Sequence, residues 1–156
     1  MSRRAFFGGS LLVAAGCAGC LGDGDGPDPR GDYQDAPFLA SEPDYGEWFE
    51  SVSAYERTID LTAEESVRVA VGAGGGLSFL PAAIAIQPGT RVVWEWTGRG
   101  GEHNVVATGG EFRSQLINEA GHRFDFEFDF DSSGVHRYTC TPHDHVGMRG
   151  AVTVVD

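Results

Sequence analysis

Phe124-Asp125-Phe126-Glu127-Phe128-Asp129-Phe130 alternates without a break, four aromatic rings against three carboxylates. Successive side chains of an extended chain point to opposite faces, so this stretch reads as a strand with one apolar and one acidic face. An aromatic stripe at that spacing is core, and all four rings are assigned there with no chemistry of their own. The same period appears on both sides. Val135 to Cys140 and Gly150 to Val155 read as strands after it. Before it, Arg91 to Thr97 sets Val92, Trp94 and Trp96 against Val93, Glu95 and Thr97, and Val67-Arg68-Val69-Ala70-Val71 alternates up to Gly72. Pro88-Gly89 reads as a turn, with Pro fixing one dihedral and Gly accepting a positive one. Strands that each bury one face need a second sheet to bury it against, so the expected fold is all-β, a two-sheet Greek-key β-sandwich. Trp48, Phe49, Val52 and Tyr55 are spaced for a short helical turn that packs across this domain. No long helical period and no internal repeat is visible.

The N-terminus carries a different message. Met1-Ser2-Arg3-Arg4-Ala5-Phe6-Phe7 opens a segment whose uncharged run, Ala5 to Gly16, is shorter than the roughly twenty residues of a spanning helix. It reads as a signal peptide of the twin-arginine type. Ala14-Ala15-Gly16-Cys17-Ala18-Gly19-Cys20 looks like a lipobox, and either Cys17 or Cys20 suits lipidation; two ordinary cysteines in a cleaved signal are the plain alternative. Residues 1–20 are therefore read as signal and lipobox. Residues 21–43, with Gly-Asp-Gly-Asp-Gly-Pro-Asp-Pro, are read as a flexible acidic tether. They lack the ligand spacing of a calcium loop. Residues 44–156 are read as the folded domain.

Composition narrows the partners. Eleven basic residues face 23 acidic ones for a formal charge of −12, and every basic residue is Arg. Loss of the first twenty residues removes Arg3 and Arg4 but no acid, giving −14. No basic patch exists to hold phosphates, so nucleic acid is not an expected partner. Strong acidity without Lys points to a halophile. At about 1 M salt the Debye length is about 3 Å, so long-range steering of a partner would be weak.

Cys140 is the only cysteine after residue 20, so it has no internal disulfide partner in the domain. It opens Cys140-Thr141-Pro142-His143-Asp144-His145-Val146-Gly147-Met148, a loop between two expected strands. A thiolate, an imidazole and a thioether in Cys-x2-His-x4-Met order can turn toward one centre, and His103, following Gly100-Gly101, is the candidate for the ligand from elsewhere. Two imidazoles, one thiolate and a weak axial thioether describe a blue-copper electron-transfer site. Structural zinc and iron–sulfur clusters would call for more thiolates. A Cys/His hydrolytic pair would leave Met148 and His103 unexplained. A binuclear purple site needs two loop cysteines, and an oxidase or reductase needs a second copper centre for which there is no further His cluster. His145 is expected to be a solvent-exposed loop residue, and His122 and His136 structural or surface residues.

The segment Tyr138-Thr139-Cys140-Thr141-Pro142-His143 resembles the copper loop of the plastocyanin/azurin (cupredoxin) superfamily. Together with Trp94-Glu95-Trp96-Thr97 and Gly101-Glu102-His103-Asn104-Val105-Val106, it resembles the halocyanins, small blue-copper proteins of haloarchaea, from about Asp44 to Asp156. The resemblance implies a cupredoxin-like sandwich holding one type 1 copper ion, with Nδ1 ligation by His103 and His143, a short bond from Cys140 and a long axial contact from Met148. It implies that the backbone N–H of Asn104 points to the Cys140 sulfur and that its side chain ties the loops near Thr141. It further implies an exit for electrons at a partly exposed His143, in an apolar patch expected from Pro142, Val146, Gly147 and Met148. The expected function is a non-enzymatic electron carrier, lipid-anchored on the extracytoplasmic face of the cell membrane. It would dock transiently on membrane or soluble redox proteins, and a monomer is expected. A copper-sequestering or delivery lipoprotein on the same fold is the alternative.

Overall fold

The alternation becomes two sheets in the computed structural model, which describes residues 31–156. The twin-arginine motif, the lipobox with Cys17 and Cys20, and the start of the tether lie outside the described residues. In chain order the strands are β1 (Ile59–Asp60), β2 (Ser66–Ala73), β3 (Ser78–Leu80), β4 (Ala83–Ile86), β5 (Arg91–Trp96), β6 (Val106–Ala107), β7 (Arg123–Glu127), β8 (Gly134–Thr139) and β9 (Arg149–Val154). One sheet runs β3-β2-β5-β7 and the other β1-β4-β9-β8-β6, so the chain crosses repeatedly between the layers of a two-sheet sandwich. β2 and β5 are parallel, with Val69 opposite Trp94, while β8 and β9 are antiparallel.

Between the sheets, Val69, Trp94, Tyr138 and Val152 are fully buried. The Trp94 ring meets Phe112, Phe124 and Tyr138 at centroid distances of 5.0, 5.8 and 5.3 Å. Each such aromatic side chain contributes about 2–3 kcal/mol of apolar burial, which makes this stack the anchor of the fold. On the solvent side β5 and β7 are joined by ion pairs: Arg91 of β5 reaches Asp125 at 2.8 Å and Glu127 at 3.1 Å, and Arg123 of β7 reaches Glu95 at 2.8 Å. These exposed pairs add little stability singly and fix the polar side of the alternation.

One ring of the Phe stripe departs from expectation. β7 ends at Glu127, and Phe128 is still buried, its N–H bonded to the Thr90 carbonyl at 3.0 Å. The Asp129 carboxylate then accepts the Asp131 N–H at 3.1 Å and the Ser132 hydroxyl at 2.9 Å. That turn breaks the period and throws Phe130 into solvent, 84% exposed. Phe124 and Phe126 are half-buried against the core.

Two further segments lie against the sandwich. Asp32 pairs with Arg68, the Tyr33 hydroxyl accepts the Arg68 N–H at 2.7 Å, and Phe38 bridges to Ile59. Glu42 accepts from the Thr58 N–H and hydroxyl at 3.0 and 2.6 Å. Residues 32–42, read from sequence as tether, therefore follow the edge of the domain, because Tyr33 and Phe38 give that stretch apolar anchors. Residues 45–55 form successive turns in place of a helical turn, and Tyr45, Phe49 and Val52 pack on Ala82, Ala83 and Ala151. Among the described residues no helix is long and apolar enough to cross a membrane.

Candidate metal centre

Cys140 follows directly on β8, and the chain turns at once into a 3-10 helix, Thr141–Val146, with Pro142 in its first turn. The helix closes on Gly147 at φ 86°, a left-handed conformation that few side chains tolerate. The turn returns the chain to β9 through two backbone bonds, Cys140 N–H to the Met148 carbonyl and Met148 N–H to the His143 carbonyl, both 3.1 Å. His103 arrives from the other side of the site, pairing with Ile117 through N–H and C=O at 2.9 Å each. Gly100 enables that approach: a Cβ there would overlap the Gly76 carbonyl of the facing β2–β3 loop.

His103, Cys140 and His143 thus converge. Cys140 Sγ lies 3.6 Å from His103 Nδ1 and 3.5 Å from His143 Nδ1, and the two Nδ1 atoms are 3.1 Å apart. A triangle with those sides has a point about 2.0 Å from every corner, close to the bonds a first-row metal makes to imidazole and thiolate. His103 Nε2 lies 2.6 Å from the Arg99 carbonyl, which can only accept, so the proton is assigned to Nε2 and Nδ1 presents a lone pair. That lone pair faces His143 Nδ1 at 3.1 Å, within hydrogen-bond distance. Met148 is fully buried in the same apolar cluster as Cys140.

Burial pushes the Cys140 thiol up, opposed by the N–H groups of Asn104 and His143 near its sulfur. Burial first, and then the imidazoles of His103 and His145, hold His143 below its usual range and keep it neutral. Deprotonated thiol and neutral imidazoles are the forms a metal takes, with protons released on binding. The Asn104 side chain spans the two loops: its Oδ1 accepts the Thr141 N–H at 2.7 Å and its Nδ2 donates to Thr141 Oγ1 at 3.2 Å.

His145 is exposed and outside the converging group. His122 packs edge-on against Trp96 at 5.1 Å, and His136 packs on Phe128 at 5.2 Å. The expected apolar patch needs correction. Gly147 and Met148 are buried, because the Gly147 turn folds them under the loop, whereas Pro142 and Val146 are exposed. Leu77 and Leu116, unmarked by any sequence period, are also exposed. Leu77 follows Gly76, which abuts Gly100, and Leu116 precedes Ile117, which pairs with His103. The Arg99 carbonyl is likewise a contribution of backbone placement that no side-chain pattern announces.

A buried thiol converging with two imidazoles fits a single type 1 copper site, a soft, sulfur-containing set with too few thiolates for an iron–sulfur cluster. Comparison with known proteins agrees. Residues 65–155 match the copper binding proteins of the plastocyanin/azurin family. The chain is 41% identical over 173 residues to a halocyanin of Natronomonas pharaonis, covering 99% of this chain and 98% of that one. It is 34% identical over 97 residues to a plastocyanin of Scenedesmus fuscus, covering 56% of this chain and 98% of that one. A solved structure described as a purple cupredoxin from Nitrosopumilus maritimus is 27% identical, with a TM-score of 0.46, over 57% of this chain and 99% of that one. The chain belongs to the plastocyanin/azurin family of copper binding proteins.

Proposed function

We propose that this protein is a membrane-anchored, extracytoplasmic carrier of single electrons, in which His103, Cys140, His143 and Met148 would hold one copper ion. The observation that carries the reading is the convergence of the three donor atoms within 3.6 Å of one another inside a hydrogen-bonded scaffold. Copper, when bound, supplies a Cu(I)/Cu(II) couple. The chain supplies the rest. The Arg99 carbonyl fixes the tautomer and tilt of His103, Asn104 locks the His103 loop to the Cys140 loop, and the two backbone bonds between the loop's arms hold Met148 under it. Ligands held in this way need little rearrangement when charge changes, which is the requirement for fast electron transfer.

His143 alone of the three converging residues reaches the surface. Pro142 and Val146 beside it, with Leu77 and Leu116 on the neighbouring loops, offer a small apolar rim on which a redox partner, soluble or membrane-bound, docks and leaves quickly. A monomer suits such a shuttle. The twin-arginine motif and lipobox support export and anchoring through Cys17 or Cys20, and the acidity and the halocyanin relative support a haloarchaeal setting. Visible absorption of the copper-loaded protein tests the ligand set: Cys140→Ser should abolish the intense blue band, and a band that persists refutes the assignment. Intact mass of the native protein tests the lipid; a mature chain without an added acyl mass refutes the anchor.

A further inference from the structure

The family match begins at residue 65, yet the arm of the ligand loop that carries Met148 rests on residues that precede it. Gly147 lies so close to the backbone of Ser51 that a Cβ there would overlap the Ser51 carbonyl oxygen. The Trp48 indole N–H donates to the Gly150 carbonyl at 3.0 Å, two residues beyond Met148. The Arg149 guanidinium sits 4.7 Å over the Trp48 ring. From there it reaches back into the loop, donating to the Asp144 carboxylate at 2.8 and 3.4 Å. Asp144 in turn accepts the hydroxyl of Thr139, the residue before Cys140, at 2.7 Å. The contacts therefore run from Trp48 to Arg149, from Arg149 to Asp144 and from Asp144 to Thr139, whose hydroxyl also lies 3.2 Å from the Met148 carbonyl.

Segment 45–55 is itself firmly held. Phe49 stacks on Tyr55 at 4.1 Å, and the Tyr45 hydroxyl bonds to Thr58 and Thr153 at 2.8 and 3.1 Å. Small residues on the outer face, Ala83 and Ala151, let it lie flat on β4 and β9. A rigid body pressed against one arm of a ligand loop limits how far that arm can move. Met148 is the ligand it would most affect, since a weak axial ligand is placed by the protein more than by its bond to the metal.

We propose that residues 45–55 are a brace for the copper loop, with Trp48 as a positioning residue that holds the Met148 arm in place with or without the metal. The inference rests on the copper reading for its purpose, and its first readout needs no copper. In the copper-free full chain, Trp48→Ala removes one ring–guanidinium contact and one hydrogen bond, so amide exchange at Gly147 and Met148 should quicken about tenfold. The Val69 and Trp94 amides in the opposite sheet should keep their wild-type rates. Trp48→Phe keeps the ring beneath Arg149 and should lie nearer wild type than Trp48→Ala. After copper loading, Trp48→Ala should shift the reduction potential and Trp48→Phe should shift it less. Unchanged exchange at Gly147 and Met148, exchange raised equally at Val69 and Trp94, or an unshifted potential in Trp48→Ala would overturn the proposal. Failure of the copper reading would show separately, as a loaded wild-type chain with no blue band.

Discussion

Asn104→Ala tests how the scaffold holds two loops from different parts of the chain in one place. Asn104 is 4% exposed and makes two bonds to Thr141. The shorter, 2.7 Å to the Thr141 N–H, is the one that matters, because that contact is partly buried and Asn104 is the acceptor this donor meets among the described residues. Truncation leaves it unsatisfied, a cost of about 1–3 kcal/mol. The 3.2 Å bond to the Thr141 hydroxyl is replaceable by water, since Thr141 is exposed, so it adds little. The expected loss is about 2 kcal/mol, or a fall in Tm of roughly 8 °C for a domain of this size. Urea unfolding of the copper-free protein in concentrated salt, followed by the fluorescence of the buried Trp94 and Trp96, measures it. Thr141→Val removes only the weaker bond and should cost less than half as much. A loss below about 0.5 kcal/mol for Asn104→Ala, at unchanged m-value, would refute the claim that this side chain ties the loops together.

Four other outcomes are expected. Met148→Leu should retain the blue colour and raise the reduction potential; loss of copper altogether would contradict a weak axial role. Excess copper should raise the unfolding midpoint of the wild-type chain in thermal melts by mass action, and Cys140→Ser should cancel most of that rise. Tyr138→Phe should change stability by no more than about 1 kcal/mol in denaturant titration, because among the described residues the buried Tyr138 hydroxyl has only the nearby Trp94 indole N–H to pair with, and not in good hydrogen-bond geometry. The same variant should flatten the alkaline side of the stability profile. Burial raises the Tyr138 pKa, so the unfolded chain loses its phenolic proton first, and stability present below about pH 10 falls as pH rises above it.

The strands and the donor atoms were legible in the sequence for different reasons. Period-two alternation is imposed by backbone geometry, so Val92-Trp94-Trp96 announced its buried face directly, and that face is buried. Cys140, His143 and Met148 stood out because three such donors within nine residues of a turn have few structural uses. What escaped notice depends on tertiary contact. β4, Ala83-Ile84-Ala85-Ile86, shows no alternation because both its faces are covered, one by the core and one by segment 45–55. The parallel pairing of β2 with β5 leaves no local trace, since it joins strands far apart in sequence. Phe130 kept the pattern of its neighbours, yet the Asp129 turn, a side-chain bond to the backbone, ended the strand before it. The Arg99 carbonyl that orients His103 is a main-chain atom, and no residue type marks it.

Voltammetry of the copper-loaded mature chain tests the central claim most directly. A single copper held by preplaced ligands predicts a reversible one-electron wave with one copper per chain, unchanged over repeated cycling. A protein built to store or hand over copper would lose the metal on reduction and give an irreversible wave that fades between cycles, and that result would contradict the account.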